Sequence, residues 1–302
     1  MKYESFSAER FYTEVSNEEQ ARAFMWRARY DGLDFKCPHC GHLEYYQHET
    51  RPEVRTCRGC LKQVRLRAGT IFEASKTSIL LWLKALFYMM EGKRGVSALE
   101  LQRHLGHKSY GRVWSMLQKI RAALQQRDDQ YQISGTLELD GAVFGRREAG
   151  NQTEVLVAVE TKSFVDAKGK EKSKAGFAKM AVSPEKKIEA QAFVDAAVVS
   201  GSMVNTDGSP ALRNLARVDV DYQVVAGNKE TVNLWLPWVH KLITNAKAWI
   251  NGTHHGVKAK HLKRYLAEYL YRYNRRHDVG RLFHRALVAC ARALPVRLYA
   301  LR

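Results

Sequence analysis

The 302-residue chain has little proline (6) and glycine (20), only five cysteines, and fewer acidic than basic residues. Sparse proline and glycine exclude collagen-like and low-complexity chains, and so few cysteines over such a length exclude a disulfide-knotted mini-protein. The longest apolar run, Ile79 to Met90, is interrupted by Lys84 and falls well short of the ~20 residues of a membrane span. The opening MKYESFSAERFYTEV lacks the apolar h-region of a signal peptide, so the expected compartment is the reducing cytoplasm, with no membrane partner. What is present is an ordinary globular composition, 45% hydrophobic and 26% charged, over a length that suits two or three domains. The formal net charge is +18, an excess that attracts a polyanion and makes nucleic acid the first partner to test.

Residues 1–30 read as one amphipathic lead-in helix, with Phe11, Val15, Ala21, Phe24 and Met25 on one face. Then come Cys37-Pro-His-Cys40 and Cys57-Arg-Gly-Cys60, sixteen residues apart, among short strand-like pieces. Each knuckle puts two thiolates on one tight turn, and two knuckles complete a tetrahedral shell of four sulfurs suited to Zn2+. The rival readings are a redox Cys-x-x-Cys, which needs no second copy, and an iron site of similar spacing. A closed four-sulfur shell is structural, which leaves His39, His42 and His48 as surface side chains and the unpartnered Cys290 as buried filler. Arg55, Arg58, Lys62, Arg65 and Arg67 lie in an acid-free stretch. A one-signed run threaded through a ribbon favours phosphate contact over a merely solvated face.

Residues 78–127 carry three helical patterns separated by Gly92, Gly95 and Gly106, the outline of a helix-turn-helix. Ser97 with Glu100 forms a capping box, and the turn at Gly106 leads into a helix bearing Arg112, Lys119 and Arg121. Val96, Leu99, Leu101, Leu105, Val113, Met116, Leu117 and Ile120 are core by spacing, so only the polar face is available to DNA.

Beyond residue 130, TLELDGAVFG, EVLVAVET and KIEAQAFV read as strands, and the interval 168–187, with seven lysines and two glutamates, reads as an exposed hairpin or arm. Asp140 is expected at a strand end, and Asp207 follows another apolar approach and precedes a Gly-Ser-Pro turn opening a helix. Two strand-end carboxylates in one mixed sheet can converge on a divalent cation, although either alone is as often a turn former or cap. A helix is expected from Pro237 to Gly252. The basic stretch after it includes Lys263, Arg264, Arg272, Arg275 and Arg276, placed to follow a phosphate backbone, while Tyr265, Tyr269, Tyr271 and Tyr273 at helical spacing read as core.

Taken in order, CPHCGH with CRGC, AGTIFEASKTSILLWLKALFYM, GVSALELQRHLG, LELDGAVFG, NTDGSPAL and GTHHGVKAKHLKRYLAEYLYRYNRR resemble the zinc-ribbon DDE transposases of bacterial insertion sequences, over roughly residues 20–280. The resemblance implies an RNase H-like domain with catalytic Mg2+ or Mn2+, and double-stranded DNA as partner, both the element's terminal inverted repeats and the target. It also implies a homodimer or higher assembly on DNA, associated with the nucleoid. Asp140 and Asp207 match the family's first two acids. The third position departs from the pattern. The family generally has a glutamate about a dozen residues before Gly-Thr-x-His, with a lysine seven residues after it. That register falls here on His240 and Lys247, with Asn233 and Asn245 as rivals. Seven residues is nearly two helical turns, so both side chains share a face. A neutral imidazole is a softer ligand than Mg2+ prefers, which points towards Mn2+.

The expected architecture is therefore α+β to α/β and multi-domain. It comprises a lead-in helix (1–30), a zinc ribbon (31–75), a helix-turn-helix-like segment (76–129), an RNase H-like mixed-sheet catalytic domain (130–285) and a C-terminal tail (286–302). A transposase is the leading functional expectation. The other class is a catalytically inactive DNA-binding protein, a degenerate transposase or repressor, for which neither Asp140 nor Asp207 is needed.

Overall fold

The computed structural model describes residues 6–145, 152–223 and 235–297. The chain divides into two compact units, one formed by residues 128–276 and the other by what precedes and follows it. None of the helices among the described residues is long and apolar enough to cross a membrane.

The first unit begins with two helices, α1 (Ala8–Glu14) and α2 (Glu18–Arg29), where a single one was expected. The break has a local cause. Asn17 adopts an extended backbone and its side chain accepts the Gln20 N–H at 2.9 Å, while Gln20 Oε1 accepts the Ser16 N–H at 2.8 Å. This reciprocal capping starts a new helix inside the apolar stripe. Strands β1 (Tyr45–Gln47), β2 (Val54–Cys57) and β3 (Gln63–Arg65) form a small antiparallel sheet. Helices α3 (Ile79–Glu91), α4 (Ala98–Leu105) and α5 (Tyr110–Asp128) follow. Glu18 on α2 accepts the N–H groups of Ile79 and Leu80 at 2.8 and 2.9 Å, which fixes the start of α3. The α4–α5 pair has the helix-turn-helix outline: Ser97 Oγ accepts the Glu100 N–H at 3.2 Å, and Gly106 closes α4 with φ 59°. Of the side chains expected in its core, Leu99 is 51% exposed and Leu105 half-buried, and the rest are buried.

The second unit contains β4 (Thr136–Phe144), β5 (Thr153–Val165), β6 (Glu171–Val182), α6 (Lys187–Ala197), β7 (Met203–Thr206), β8 (Asp219–Tyr222), α7 (Pro237–His254) and α8 (Ala259–Asn274). The sheet runs β6-β5-β4-β7-β8, antiparallel through β6, β5 and β4 and parallel from β4 to β8. This is the mixed sheet expected of an RNase H-like domain. Alternation along β4 and β5 divides the core. Leu137, Leu139, Leu156 and Ala158 pack with α6 on one face, whereas Ala142, Phe144, Val155, Val157 and Val159 pack with α7 and α8 on the other. Burial on both faces explains the nearly unbroken apolar run of β5.

Three local expectations are corrected. KIEAQAFV is helical, because Ala190, Phe193, Val194 and Ala197 are its buried positions and Ile188 is 82% exposed. Asp140 lies in the interior of β4, four residues before its end. The residues after Asp207 form turns and no helix. The lysine-rich interval does form a hairpin, whose turn is organised by Asp166: its Oδ1 accepts the N–H groups of Lys168 and Lys170 at 2.8 and 3.0 Å.

After residue 276 the chain rejoins the first unit as a 3-10 turn (Val279–Arg281) and α9 (Leu282–Arg292). This helix packs on α2 and α3, with Phe283 against Phe87 and Cys290 fully buried. The expected domain end at 285 therefore falls inside a helix, and the supposed tail contributes core.

The start of α7 is held by a buried carboxylate. Glu138, 2% exposed on β4, accepts the N–H groups of Trp238 and Val239 at 2.7 and 2.8 Å and the Thr161 hydroxyl at 3.1 Å. Replacing Glu138 with Ala removes this cap and is expected to lower unfolding free energy by roughly 2 kcal/mol. A urea midpoint that falls at unchanged m-value would show it.

Candidate functional site

The four cysteines come together as their spacing predicts. Both knuckles share one backbone pattern. The Cys37 and Cys57 N–H groups donate to the carbonyls of His42 and Lys62, and the Gly41 and Leu61 N–H groups donate back to Cys37 and Cys57 at 2.9 and 3.0 Å. Gly41 and Leu61 adopt left-handed φ values of 76° and 58°; the glycine does so freely and the exposed leucine with strain. Cys37 Sγ lies 3.6 Å from Cys60 Sγ, and Cys40 Sγ 3.5 Å from Cys57 Sγ, with all four sulfurs within 4.8 Å of one another. Burial opposes ionisation of Cys37, but the N–H groups of His39 and Cys40 and the neighbouring thiols lower it to about 6. Cys40 moves the other way: the His42 N–H favours its thiolate, yet burial and the surrounding thiols push it up to about 12. A divalent cation is what allows four thiolates to coexist in such a shell, and the donor set suits zinc. His48 bonds Thr56 Oγ1 at 2.8 Å and His42 faces Glu44, so neither is needed as a ligand.

The second cluster lies in the mixed sheet. Glu138, Asp140, Ala142 and Phe144 alternate on the face of β4 that meets α7. In the parallel ladder, Thr136 pairs with Met203, Leu137 with Val204 and Glu138 with Asn205. Asp140 and Asp207 are separated by the same offset as these pairs, with Asp207 immediately after the end of β7, so the sequence separation of the two acids equals the strand register. Across this point comes the first turn of α7. His240 Nε2 is 3.1 Å from Asp140 Oδ2, and this hydrogen bond raises the imidazole's proton affinity against the opposing effect of burial, with further help from Asp140, Glu138 and Asp207 charge.

A residue unanticipated from sequence joins them. Glu185, on the connection between β6 and α6, accepts the Ser209 hydroxyl through Oε1, and the Ser209 N–H donates to Asp207 Oδ1 at 3.0 Å. Burial raises the Glu185 carboxyl above its ordinary range, Ser209 opposes this, and the charges of Asp207, Asp140 and Glu154 add to it. No sequence motif marks Glu185. Among the described residues, only the cysteines gather three or more ligand atoms within 4.8 Å of one another. The carboxylate oxygens and the imidazole nitrogen nonetheless form a donor set chemically suited to a hard or borderline divalent cation.

Lys247 lies on the same face of α7 as His240, with its ammonium 5.6 Å from the Phe144 ring centroid, beside a cavity of about 350 Å3. Asn245 is exposed and about 140° around the helix from His240. Asn233 lies outside the described residues.

The cations expected at phosphate divide into two groups. Arg55 is 7% exposed, sandwiched by Trp26 and Tyr45 and donating to the Asp34 carbonyl. Arg67 makes a bidentate pair with Glu53 at 2.6 and 2.7 Å, Lys119 donates to the Ile71 carbonyl at 3.2 Å, and Arg275 pairs bidentately with Asp128 at 2.6 and 3.1 Å. Arg276 donates to the Ala175 and Gly176 carbonyls, and burial lowers the Arg272 pKa. These six hold or fill the fold, which replaces the phosphate-following role expected of them. Arg58, Lys62, Arg65, Arg112 and Lys263 are exposed, and Arg264 is half-buried.

Compared with known protein families, residues 127–274 match an ISXO2-like transposase domain and residues 16–63 a transposase zinc-ribbon domain. The two matches together cover well over half of the chain. No curated protein and no solved structure matches it.

Substituting Cys37 with Ser is expected to reduce bound zinc from about one ion per chain to nearly none. Residues 128–276 should keep their protection from proteolysis. Metal content by mass spectrometry, read alongside limited proteolysis, tests both parts, and an unchanged zinc content would reject the four-sulfur shell.

Proposed function

Given that the chain belongs to the zinc-ribbon DDE-type transposases of insertion sequences, we propose that it binds the terminal inverted repeats of its element and catalyses metal-dependent cleavage and strand transfer at Asp140, Asp207 and His240. The observation that carries this reading is the 3.1 Å approach of His240 to Asp140, made by a helix whose start is tied to the same strand. Asp140 and Asp207 supply oxygen donors, and His240 a nitrogen, to Mg2+ or Mn2+. Divalent ions, when bound, supply charge that stabilises the attacking and leaving oxygens of an in-line displacement at phosphorus. Ligation through His240 Nε2 would require that nitrogen to be unprotonated, so Asp140 and the cation would be alternative partners of the same atom. Lys247, on the same helix face, holds a substrate phosphate. The ribbon and the α4–α5 pair bind the inverted repeats, and a homodimer or larger assembly brings two ends together.

The deciding experiment is cleavage and joining of a DNA that carries the element's ends. Asp140→Asn is expected to reduce both products on the order of a thousandfold, because several kcal/mol of transition-state stabilisation depend on the metal centre, while leaving DNA affinity intact. The wild type should be more active in Mn2+ than in Mg2+, and His240→Glu should move the preference towards Mg2+. Equal or greater Mg2+ activity in the wild type counts against a histidine ligand. DNA binding without product in either metal, unaltered by Asp140→Asn, identifies a non-catalytic binder.

Among the cations, Arg58, Lys62 and Arg65 are exposed on the ribbon and reach phosphate in this reading. Changing all three to Ala is expected to flatten the dependence of log affinity on log salt by about 0.9 for each phosphate that is no longer neutralised. Fluorescence anisotropy across a salt series measures this slope.

A further inference from the structure

We propose that Glu185 is the third carboxylate of the divalent-cation centre, supplying from the β6–α6 connection the negative charge that a histidine at position 240 does not carry. The inference rests on the proposed Asp140–Asp207 centre. Two aspartates and a neutral imidazole give that centre two negative charges, and Glu185 adds a third.

Gly141 provides the first observation. It follows Asp140 in β4, and a Cβ there would overlap the Glu185 carboxylate, lying 2.8 Å from its Cδ. Its φ is outside the left-handed region, so backbone conformation does not require glycine. Glycine inside a strand weakens it, and where it occurs it often marks a close approach by another group. Here that group is the Glu185 carboxylate, lying against the β4 backbone next to Asp140 but on the strand face opposite the Asp140 side chain.

Ser209 provides the second. Its hydroxyl holds Glu185 and its N–H holds Asp207, so one residue ties the glutamate to the second acid of the centre. The Glu185 backbone is fixed as well, donating its N–H to Glu154 Oε2 at 2.9 Å. The N-cap of α6 is Lys186, without a side-chain cap bond, and no Lys or Arg among the described residues forms an ion pair with Glu185. A half-buried carboxylate placed beside two others, with no basic ion-pair partner among the described residues, is set for a cation.

The test is Mn2+ binding to the full-length, zinc-loaded protein, followed by the electron paramagnetic resonance signal of free Mn2+. Thermal unfolding without Mn2+ serves as the folding control. Asp140→Asn should abolish binding at this centre. Glu185→Gln should weaken it about tenfold or more. Ser209→Ala, which keeps the backbone donor to Asp207, should weaken it in the same direction by a smaller factor. If Asp140→Asn abolishes binding while Glu185→Gln leaves it unchanged, Glu185 is not a ligand and the Asp140 centre stands without it. If Asp140→Asn itself has no effect, the centre, and with it the proposed function, is wrong. Should Glu185→Gln fail to fold, Ser209→Ala decides: an affinity within about twofold of wild type overturns the assignment.

Discussion

The buried carboxylate of Glu138 determines where α7 begins, and the candidate active site inherits its geometry from that contact. Helix α7 opens with Leu236 and Pro237, neither of which has a side chain able to accept the free N–H groups of the first turn. Glu138 accepts two of them from the neighbouring strand. Each partner needs the other, since a carboxylate only 2% exposed is costly without donors and the helix start is costly without an acceptor. The contact also sets two registers at once. Asp140 is the next same-face residue of β4, and His240 directly follows Val239, so fixing Glu138 to the helix start brings Asp140 and His240 to hydrogen-bonding distance. The first unit uses the same device, with Glu18 on α2 accepting the opening N–H groups of α3.

The strong positive charge has two physical roles that composition cannot separate. Arginine has five donors in a planar fork, which suits a carboxylate or a set of carbonyls as well as it suits phosphate. Arg275 and Arg276 follow directly after Asn274, whose amide bonds both the N–H and the C=O of Ala178 at 2.8 and 3.0 Å. With Arg276 on the Ala175 and Gly176 carbonyls, the end of α8 satisfies backbone groups along β6, the edge strand of the mixed sheet, and so keeps that edge from pairing elsewhere. The basic motif that looks most like a phosphate track is in this stretch sheet closure.

What is legible in sequence follows from the range over which each signal acts. The cysteine knuckles are readable because each is a local turn with a fixed spacing of ligands. Asp140 and Asp207 are readable as a pair, and their separation is the register of β4 against β7. The α6 segment misleads because Ile188-Glu-Ala-Gln-Ala alternates over too short a window, and the helical spacing appears only when Phe193, Val194 and Ala197 are included. The division of α1 from α2 is present in Ser16-Asn17 and Gln20 but is masked by a continuous apolar stripe. Glu185 has no signal at all. Its place depends on a glycine in one strand, a serine after another and a connection between two further elements, brought together only by the fold.

The acids of the second unit illustrate why such a site must be built from several directions. Carboxylates brought close together repel one another, and desolvation penalises each charge further. The fold answers with a separate donor for each: the α7 N–H groups for Glu138, the His240 imidazole for Asp140, the Ser209 N–H for Asp207 and the Ser209 hydroxyl for Glu185. These donors differ in how readily they are released. Backbone N–H groups at a helix start are fixed, so Glu138 remains structural. The contacts made by His240 and by the Ser209 hydroxyl come from side chains, so in the proposed function a cation can replace them without disturbing the hydrogen bonds of the sheet itself. The same face of β4 therefore carries one acid committed to the fold and, two residues later, the one proposed to bind the cation.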